Sequence, residues 1–497
     1  MTETITQPDA PAARPQPAWT LDLSIAGVPV AGRGEPVVVF DPATEAELTS
    51  LPQADPEQVE HAIVAARRAF DDGPWPRMSL AGRAGVMHRF ADRLEERAHE
   101  LVTAIVYECG TPITQTQIGQ VELPIAILRS YADLARKDRT EYLGPNFEMT
   151  PSDSLVAYQP VGVVGVITAY NFPLVLALRT IGGALAAGCT VVVAPSPKAP
   201  LSTLMAARAA EEAGFPPGVV NVVVGGSEVG RVISTHKAVD KVGFTGSRNV
   251  GQIIMEQAAS TIKGVMLELG GKTPTLVMPG VDAARIARRL HTKYLLNAGQ
   301  ACAAPARILI PREEHERFVH EGRKAYGGIK VGDPWDPKTI VGPLIGPDHR
   351  EHVERVVQDA VSEGATILAG GGRPPLERGW YTNPVLVGGV DNRAPIAQEE
   401  IFGPVGVLIP YDGIDDGVAK ANDVVYGLAA DVFSPDAASG IAIARRLRAG
   451  TVTINGGGAF RPDAPFGGLK ASGIGREYGE WGVREFLEPQ HVQWALR

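Results

Sequence analysis

Val161-Gly162-Val163-Val164-Gly165-Val166-Ile167-Thr168 is a β-rich run, and residues 173–187 beyond it suit a helix. Pro173 falls in that helix's first turn, where a missing N–H costs nothing. Outward from this pair the alternation continues: 190–193 reads as strand, 201–214 as helix ending on Gly, 219–224 as strand, 228–236 as helix, 241–244 as strand, 249–259 as helix and 264–267 as strand. Such a chain builds a doubly wound parallel sheet, because parallel strands need a crossover helix to bring the chain back. The pattern restarts near 273, with 275–278, 282–296, 307–310 and 313–326 reading strand, helix, strand, helix. The expected fold is α/β with two doubly wound parallel-sheet domains. Residues 57–108 are mostly helical by their apolar period, as at Val59, Ile63, Ala66 and Phe70.

A chain of 497 residues has the length of two domains and ample interior for a core. Its apolar content of 44% and charged content of 21% are those of a globular enzyme. The net charge of −9, with Lys and Arg scattered, argues against nucleic acid or an anionic membrane as main partner. Cys109, Cys189 and Cys302 are far apart and form no C-x-x-C, so neither a zinc site nor a disulfide framework is expected, and a reducing, cytoplasmic setting fits. Residues 1–19 carry prolines at 8, 11, 15 and 17 without a basic start and apolar core, and read as a disordered lead-in rather than a signal peptide. The stretch 154–178 has no charged residue and is long enough for a bilayer, but Pro160, Gly162, Gly165, Asn171 and Pro173 interrupt it. A buried strand followed by a helix is expected there.

Chemistry concentrates in a few places. Cys302 follows Asn297-Ala298-Gly299-Gln300-Ala301, and Glu268 lies in Leu267-Glu268-Leu269-Gly270-Gly271-Lys272. A thiol and a carboxylate framed by small residues suggest a nucleophile and a base. The alternatives are a small buried hydrophobe for Cys302 and an ion pair with Lys272 for Glu268. Asn171, just past a strand end, offers an amide to a developing oxyanion, or caps the helix before Pro173. The turn Phe244-Thr245-Gly246-Ser247-Arg248-Asn249-Val250-Gly251 opens a helix and suits a pyrophosphate, or merely caps the helix. Gly225-Gly226-Ser227 is a rival for that role. His236, His291, His315 and His320 show no ligand spacing, so no metal is expected.

Together Asn171-Phe172-Pro173, Phe244-Thr245-Gly246-Ser247, the Leu267 to Lys272 run, Gly299-Gln300-Ala301-Cys302, Glu399-Glu400-Ile401-Phe402-Gly403-Pro404 and the Pro465 to Gly473 run resemble the NAD(P)-dependent aldehyde dehydrogenase superfamily. The resemblance spans the chain from about Asp41 onward. It implies Cys302 as nucleophile, Glu268 as the base for a deacylating water, and Asn171 with the Cys302 N–H as oxyanion hole. It implies cofactor contacts at Thr168, Lys198, Gly246, Ser247, Gly251, Leu269, Glu400 and Phe402, with Glu400 on the nicotinamide ribose. Phe172 and Phe466 would line the aldehyde tunnel. It also implies a small β flap for oligomerisation, hence a homodimer or homotetramer. The implied domains are 20–140 with 160–272 for the nucleotide, 273–477 for catalysis, and 141–159 with 478–497 for the flap.

Four positions depart from the pattern. The family usually has Lys and then Glu after the 190–193 strand, where this chain has Ala194 and Pro197, with Lys198 next. A missing carboxylate removes the usual partner of the ribose 2′-hydroxyl and the usual repulsion of a 2′-phosphate, so NAD is expected first and NADP stays open. The Trp before the oxyanion-hole Asn is Tyr170 here. Arg179 stands where many members carry an aromatic at the tunnel mouth, and succinate-semialdehyde dehydrogenases resemble this chain in having Arg. A guanidinium there is expected to grip a substrate carboxylate, unless it is a surface residue. The implied reaction is oxidation of an aldehyde to a carboxylic acid. A CoA-acylating enzyme would typically lack Glu268, a non-catalytic binding protein would have lost the thiol, base or amide, and a cofactor-free thiol hydrolase would not need the nucleotide motifs.

Overall fold

The computed structural model describes residues 14–15, 19, 21–282, 286–287, 293–457 and 461–496. Its first sheet has eight strands in the spatial order Val28–Val30, Leu23–Ile25, Val220–Val222, Thr190–Ala194, Val163–Ile167, Lys241–Thr245, Gly264–Glu268 and Gly473–Ile474. The five from Val220–Val222 to Gly264–Glu268 are parallel, and the outer ones antiparallel. The chain enters at Val163–Ile167, winds outward through Thr190–Ala194 and Val220–Val222, then crosses to Lys241–Thr245 on the other side. Helices Pro173–Ala187, Leu201–Ala213, Ser227–Thr235 and Arg248–Ala259 make the crossovers. The direction reverses between Val163–Ile167 and Lys241–Thr245, and beyond the carboxyl ends there an open α/β sheet binds its ligands.

Both faces of this sheet are covered. Thr190–Ala194 is buried throughout, as its near-continuous valines require. Pro173–Ala187 is buried on every side, which explains the uncharged stretch as an internal helix. Among the described residues, no helix is long and apolar enough to cross a membrane. Residues 57–108 form three helices, Pro56–Asp71, Leu80–Glu96 and Ala98–Cys109.

The second sheet runs Thr366–Gly370, Val385–Gly388, Val405–Tyr411, Pro305–Pro311, Thr273–Val277, Ala429–Phe433 and Thr451–Ile454, parallel except for the first. The strand expected over 307–310 and the helix after it are present as Pro305–Pro311 and His315–Gly327. The helix expected over 282–296 lies largely outside the described residues, as does the 1–19 lead-in, although Arg14 pairs with Asp333 at 2.7 Å. Leu487–Ala495 pairs along its full length with Ser152–Pro160, and Glu141–Tyr142 adds a third antiparallel strand.

The two sheets are laced together at the site. Leu428, Phe466, Tyr478 and Phe486 join the core of the first sheet. Gly473–Ile474 closes that sheet's edge against Leu267 and Glu268.

Candidate active site

Register sets the stage. Val163–Ile167 pairs with Thr190–Ala194 and Lys241–Thr245, and Thr245 stands opposite Glu268, so the ends of these strands reach one rim. Thr168, Gly246 and Leu269 follow directly. Gly246 donates its N–H to the Glu268 carbonyl at 3.1 Å, and the Ser247 hydroxyl caps Arg248–Ala259 by accepting from the Val250 N–H. Any side chain added at position 251 would collide with Leu269, whose methyl lies 2.7 Å from the place a Cβ on Gly251 would take. Gly251 and Leu269 therefore set how closely the helix packs on the strand end. The rival Gly226 caps its own helix and donates its N–H to the Gln53 side chain.

Cys302 ends a loop of unusual backbone. Asn297 (φ 50), Ala298 (φ 55) and Gly299 (φ 76) are successive left-handed residues. Such a conformation costs a non-glycine residue on the order of 1–3 kcal/mol, so surrounding bonds must hold it. The Asn297 amide donates to the Asn171 carbonyl at 2.8 Å, and the Asn297 side-chain oxygen accepts from Thr111 at 2.8 Å. The Gln300 amide donates to the Asn297 carbonyl, while its oxygen accepts from the Ile345 N–H.

Asn171 is tied to the same loop. Its Nδ2 donates to the Gln300 carbonyl at 2.9 Å, two residues before the thiol. The helix that follows has Phe172 at its N-cap position with no side-chain cap, so Asn171 is not spent on capping. One amide hydrogen is spent on that bond and the other is left over.

The double glycine of the Leu267 to Lys272 run has a steric purpose on each side. A Cβ on Gly270 would sit 2.1 Å from Glu400 Oε2, and one on Gly271 would sit 2.3 Å from the Cys302 carbonyl oxygen. The Gly271 N–H donates to Glu400 Oε1 at 3.0 Å. Ser472 locks this turn, donating its hydroxyl to the Gly270 carbonyl at 2.7 Å and accepting the Leu269 N–H on its carbonyl at 3.0 Å.

Glu268 does not pair with Lys272. It is 3% exposed and neither carboxylate oxygen bonds a side chain, with the Gly468 N–H facing it from the backbone. Burial pushes it up to about 8, with Arg179 pulling against that and Glu477 adding to it. Burial likewise pushes the Cys302 thiol up to about 12; Arg179 opposes this, while the Glu268 and Glu400 charges add to it. The other two thiols are buried and carry no such company; Cys109 leans on the Tyr170 carbonyl and Cys189 on that of Phe486.

Arg179 does not face the surface: it is 3% exposed, its Nε lies 2.6 Å from Glu477 Oε2, and Nη2 donates to the Thr245 hydroxyl at 3.0 Å. Burial works against its charge, but Glu477 more than offsets that, so it stays a cation. Its guanidinium covers the Phe466 ring, 5.6 Å from the centroid. Glu477 is also held by the Thr180 hydroxyl at 2.7 Å. This cation is already committed to a protein carboxylate.

Lys198 is exposed with its amine 5.8 Å over the Tyr170 ring, and Tyr170 meets Phe402 edge-on at 6.1 Å. Phe402 is itself left-handed (φ 58), with its carbonyl at 2.7 Å from His349 Nε2. Phe172 is half-buried and Phe466 buried. Among the described residues, no cluster of His, Cys, Asp or Glu is arranged to hold a metal.

A thiol, a buried carboxylate without an ion-pair partner and an amide thus gather at the switch point of the first parallel sheet. The sequence profile described as the aldehyde dehydrogenase family matches residues 30–492. The chain belongs to the aldehyde dehydrogenase family. It is 42% identical to geranial dehydrogenase of Castellaniella defragrans over 443 residues, 89% of this chain and 91% of that protein. The aldehyde dehydrogenase of Mycobacterium tuberculosis, solved as a complex with NAD+, superimposes with a TM-score of 0.91 at 39% identity, over 95% of this chain and 97% of that one. Aldehyde dehydrogenase C of Pseudomonas syringae, solved with NAD+ and octanal, gives 0.90 at 37% identity, over 95% and 96%.

Sequence reasoning passed over three residues of this aldehyde dehydrogenase's site. Glu477 and Thr245 partner Arg179, and nothing local distinguishes them. Asn297 braces the thiol loop, and the signal was available: Asn is the residue after Gly that best tolerates left-handed backbone, and it stands in Asn297-Ala298-Gly299.

Proposed function

We propose that this enzyme oxidises an uncharged aldehyde to its carboxylic acid through a covalent intermediate on Cys302, with NAD+ as hydride acceptor. The observation that carries the reading is the tie between the Asn171 amide and the Gln300 carbonyl, which holds an oxyanion donor against the thiol loop.

Cys302 Sγ adds to the carbonyl carbon and the thiol gives up its proton. A thiol pushed to about 12 is not a resting thiolate. Its proton passes to a water molecule as the C–S bond forms, under the field of Arg179, the cation that most favours the anion. The oxyanion of the resulting thiohemiacetal takes the second Asn171 amide hydrogen, and losing such a donor costs roughly 10²–10³ in rate. Collapse of that oxyanion expels hydride and leaves a thioester; the nicotinamide cofactor, when bound, supplies the acceptor. Glu268 then takes a proton from water, the hydroxide adds to the thioester carbon, and the C–S bond breaks to release the acid. A buried, unpaired carboxylate is suited to that step, since a base near the working pH gains most from proton transfer.

The residues fit a dinucleotide. The N-terminus of Arg248–Ala259 opens at the switch point, where its first-turn N–H groups and dipole suit a pyrophosphate. The Thr168 hydroxyl is buried beside it without a partner. Ala194 and Pro197 place no carboxylate against a 2′-phosphate, so NADP+ is the comparison arm of any assay. An uncharged aldehyde is supported by Phe172 and Phe466 and by the neutralised Arg179. Glu268 speaks for hydrolysis over transfer to CoA.

The exposed edge strand Leu487–Ala495, with Val492 and Trp494 outward, supports assembly into a homodimer or homotetramer, and the three free thiols suit the cytoplasm. Steady-state assays with NAD+ and NADP+ over aliphatic, aromatic and carboxylated aldehydes test the reading. Full dehydrogenase activity in Cys302→Ala would overturn it.

A further inference from the structure

Lys272 ends the run that carries Glu268 and Gly270-Gly271, yet its side chain is buried, 2% exposed, and Nζ makes no hydrogen bond. A buried ammonium without a partner is costly, so its surroundings must give it a use. Its backbone is fixed: the Lys272 carbonyl accepts from Arg307 Nε at 3.2 Å. Its side chain lines a small cavity together with Glu400, Ala301, Tyr294 and Phe402, directly behind the thiol loop. Glu400 reaches that cavity because Gly270 leaves it room and the Gly271 N–H holds one of its oxygens.

We propose that Lys272 is a positioning residue for the cofactor, its ammonium holding Glu400 in the carboxylate form that accepts both hydroxyls of a ribose. This rests on the NAD reading above. A ribose diol presents two O–H donors. An ionised carboxylate accepts both, whereas a protonated one offers a donor of its own in place of an acceptor. The state of Glu400 therefore sets how well a ribose is held.

The groups around the pair can be named. Lys272 faces Arg307, Glu400 and Glu399; burial and then Arg307 push it down to about 7, against the two carboxylates. Burial pushes Glu400 up to about 7, against the Gly271 N–H and Lys272. Tyr170, Tyr426 and Cys302 also feel the Glu400 charge. An acid and a base that both titrate near neutrality exchange a proton within the working range. As pH falls, Glu400 protonates and NAD+ affinity drops. Without the Lys272 charge, the Glu400 carboxyl titrates higher, so that drop begins at higher pH.

The experiment is NAD+ binding to the full chain, followed by quenching of tryptophan fluorescence from pH 6 to 9, for wild type, Lys272→Met and Glu400→Gln. In Lys272→Met the midpoint of the affinity loss moves upward, so that Kd at pH 7 weakens by ~10-fold, from the one to three pK steps an adjacent opposite charge supplies, and the two curves converge near pH 9. Glu400→Gln flattens the curve, and it carries the test alone should Lys272→Met not fold. A Lys272→Met curve with the wild-type midpoint, or a wild-type slope that survives in Glu400→Gln, overturns the inference while the NAD reading stands. Wild type that binds no NAD+ at any pH overturns both.

Discussion

The guanidinium of Arg179 and the carboxylate of Glu477 form an ion pair 2.6 Å long inside the protein, with their side chains 3% and 1% exposed. The pair joins the crossover helix Pro173–Ala187 to the segment after Gly473–Ile474, and both of its charges act on Glu268 in opposite senses. Removing one partner leaves the other charge buried and alone. Arg179→Leu is expected to cost about 3–5 kcal/mol in urea unfolding, and Arg179→Leu with Glu477→Leu is expected to recover much of that. KM for neutral and carboxylated aldehydes should change alike. A rise confined to carboxylated aldehydes would return Arg179 to the substrate site.

Glu268 should govern the alkaline rise of turnover. Its carboxyl is pushed up to about 8, so the basic form is the minority at pH 7 and grows as pH rises. Deacylation is expected to increase from pH 6 to 9 with a midpoint near that value. Glu268→Gln should remove the rise and, in a stopped-flow trace, give one burst of NADH per active thiol followed by near-arrest.

Gly270→Ala and Gly271→Ala should separate two functions one residue apart. The first pushes on Glu400 and should raise KM for NAD+ with kcat less affected. The second pushes on the Cys302 carbonyl and should lower kcat, by up to ~10² if the thiol moves by about 1 Å. Identical kinetic signatures in the two variants would show that the turn moves as a unit.

Asn171→Ala should lower kcat by roughly 10²–10³, the cost of one oxyanion donor. Rapid-quench measurement of acylation locates the loss. A loss confined to deacylation would contradict the oxyanion role.

Much of the fold was legible because its signals are local. A βαβ crossover writes itself as a valine-rich run, a helix start such as Pro173 and a helix stop such as Gly188 or Gly214, all within a few turns of chain. The helix Pro173–Ala187 has the bounds its sequence predicts. Thiol, carboxylate and amide were legible too, since each stands in a distinctive short string. The reason for the strings was not. Gly270 and Gly271 matter because Glu400 and Cys302, each remote in the chain, press against them.

The sequence by itself determined the alternation of strands and helices, the family and the chemical types in the site, for these rest on neighbours along the chain. Only the tertiary structure decided what the charges do. Arg179 reads equally well as surface residue, substrate anchor or internal cation until Glu477 is seen beside it. Lys272 reads as the partner of Glu268 until burial and the Gly270-Gly271 turn set it against Glu400 instead. A charge takes its meaning from the solvent it has lost and the partner it has gained, and both are settled by residues more than a hundred positions away.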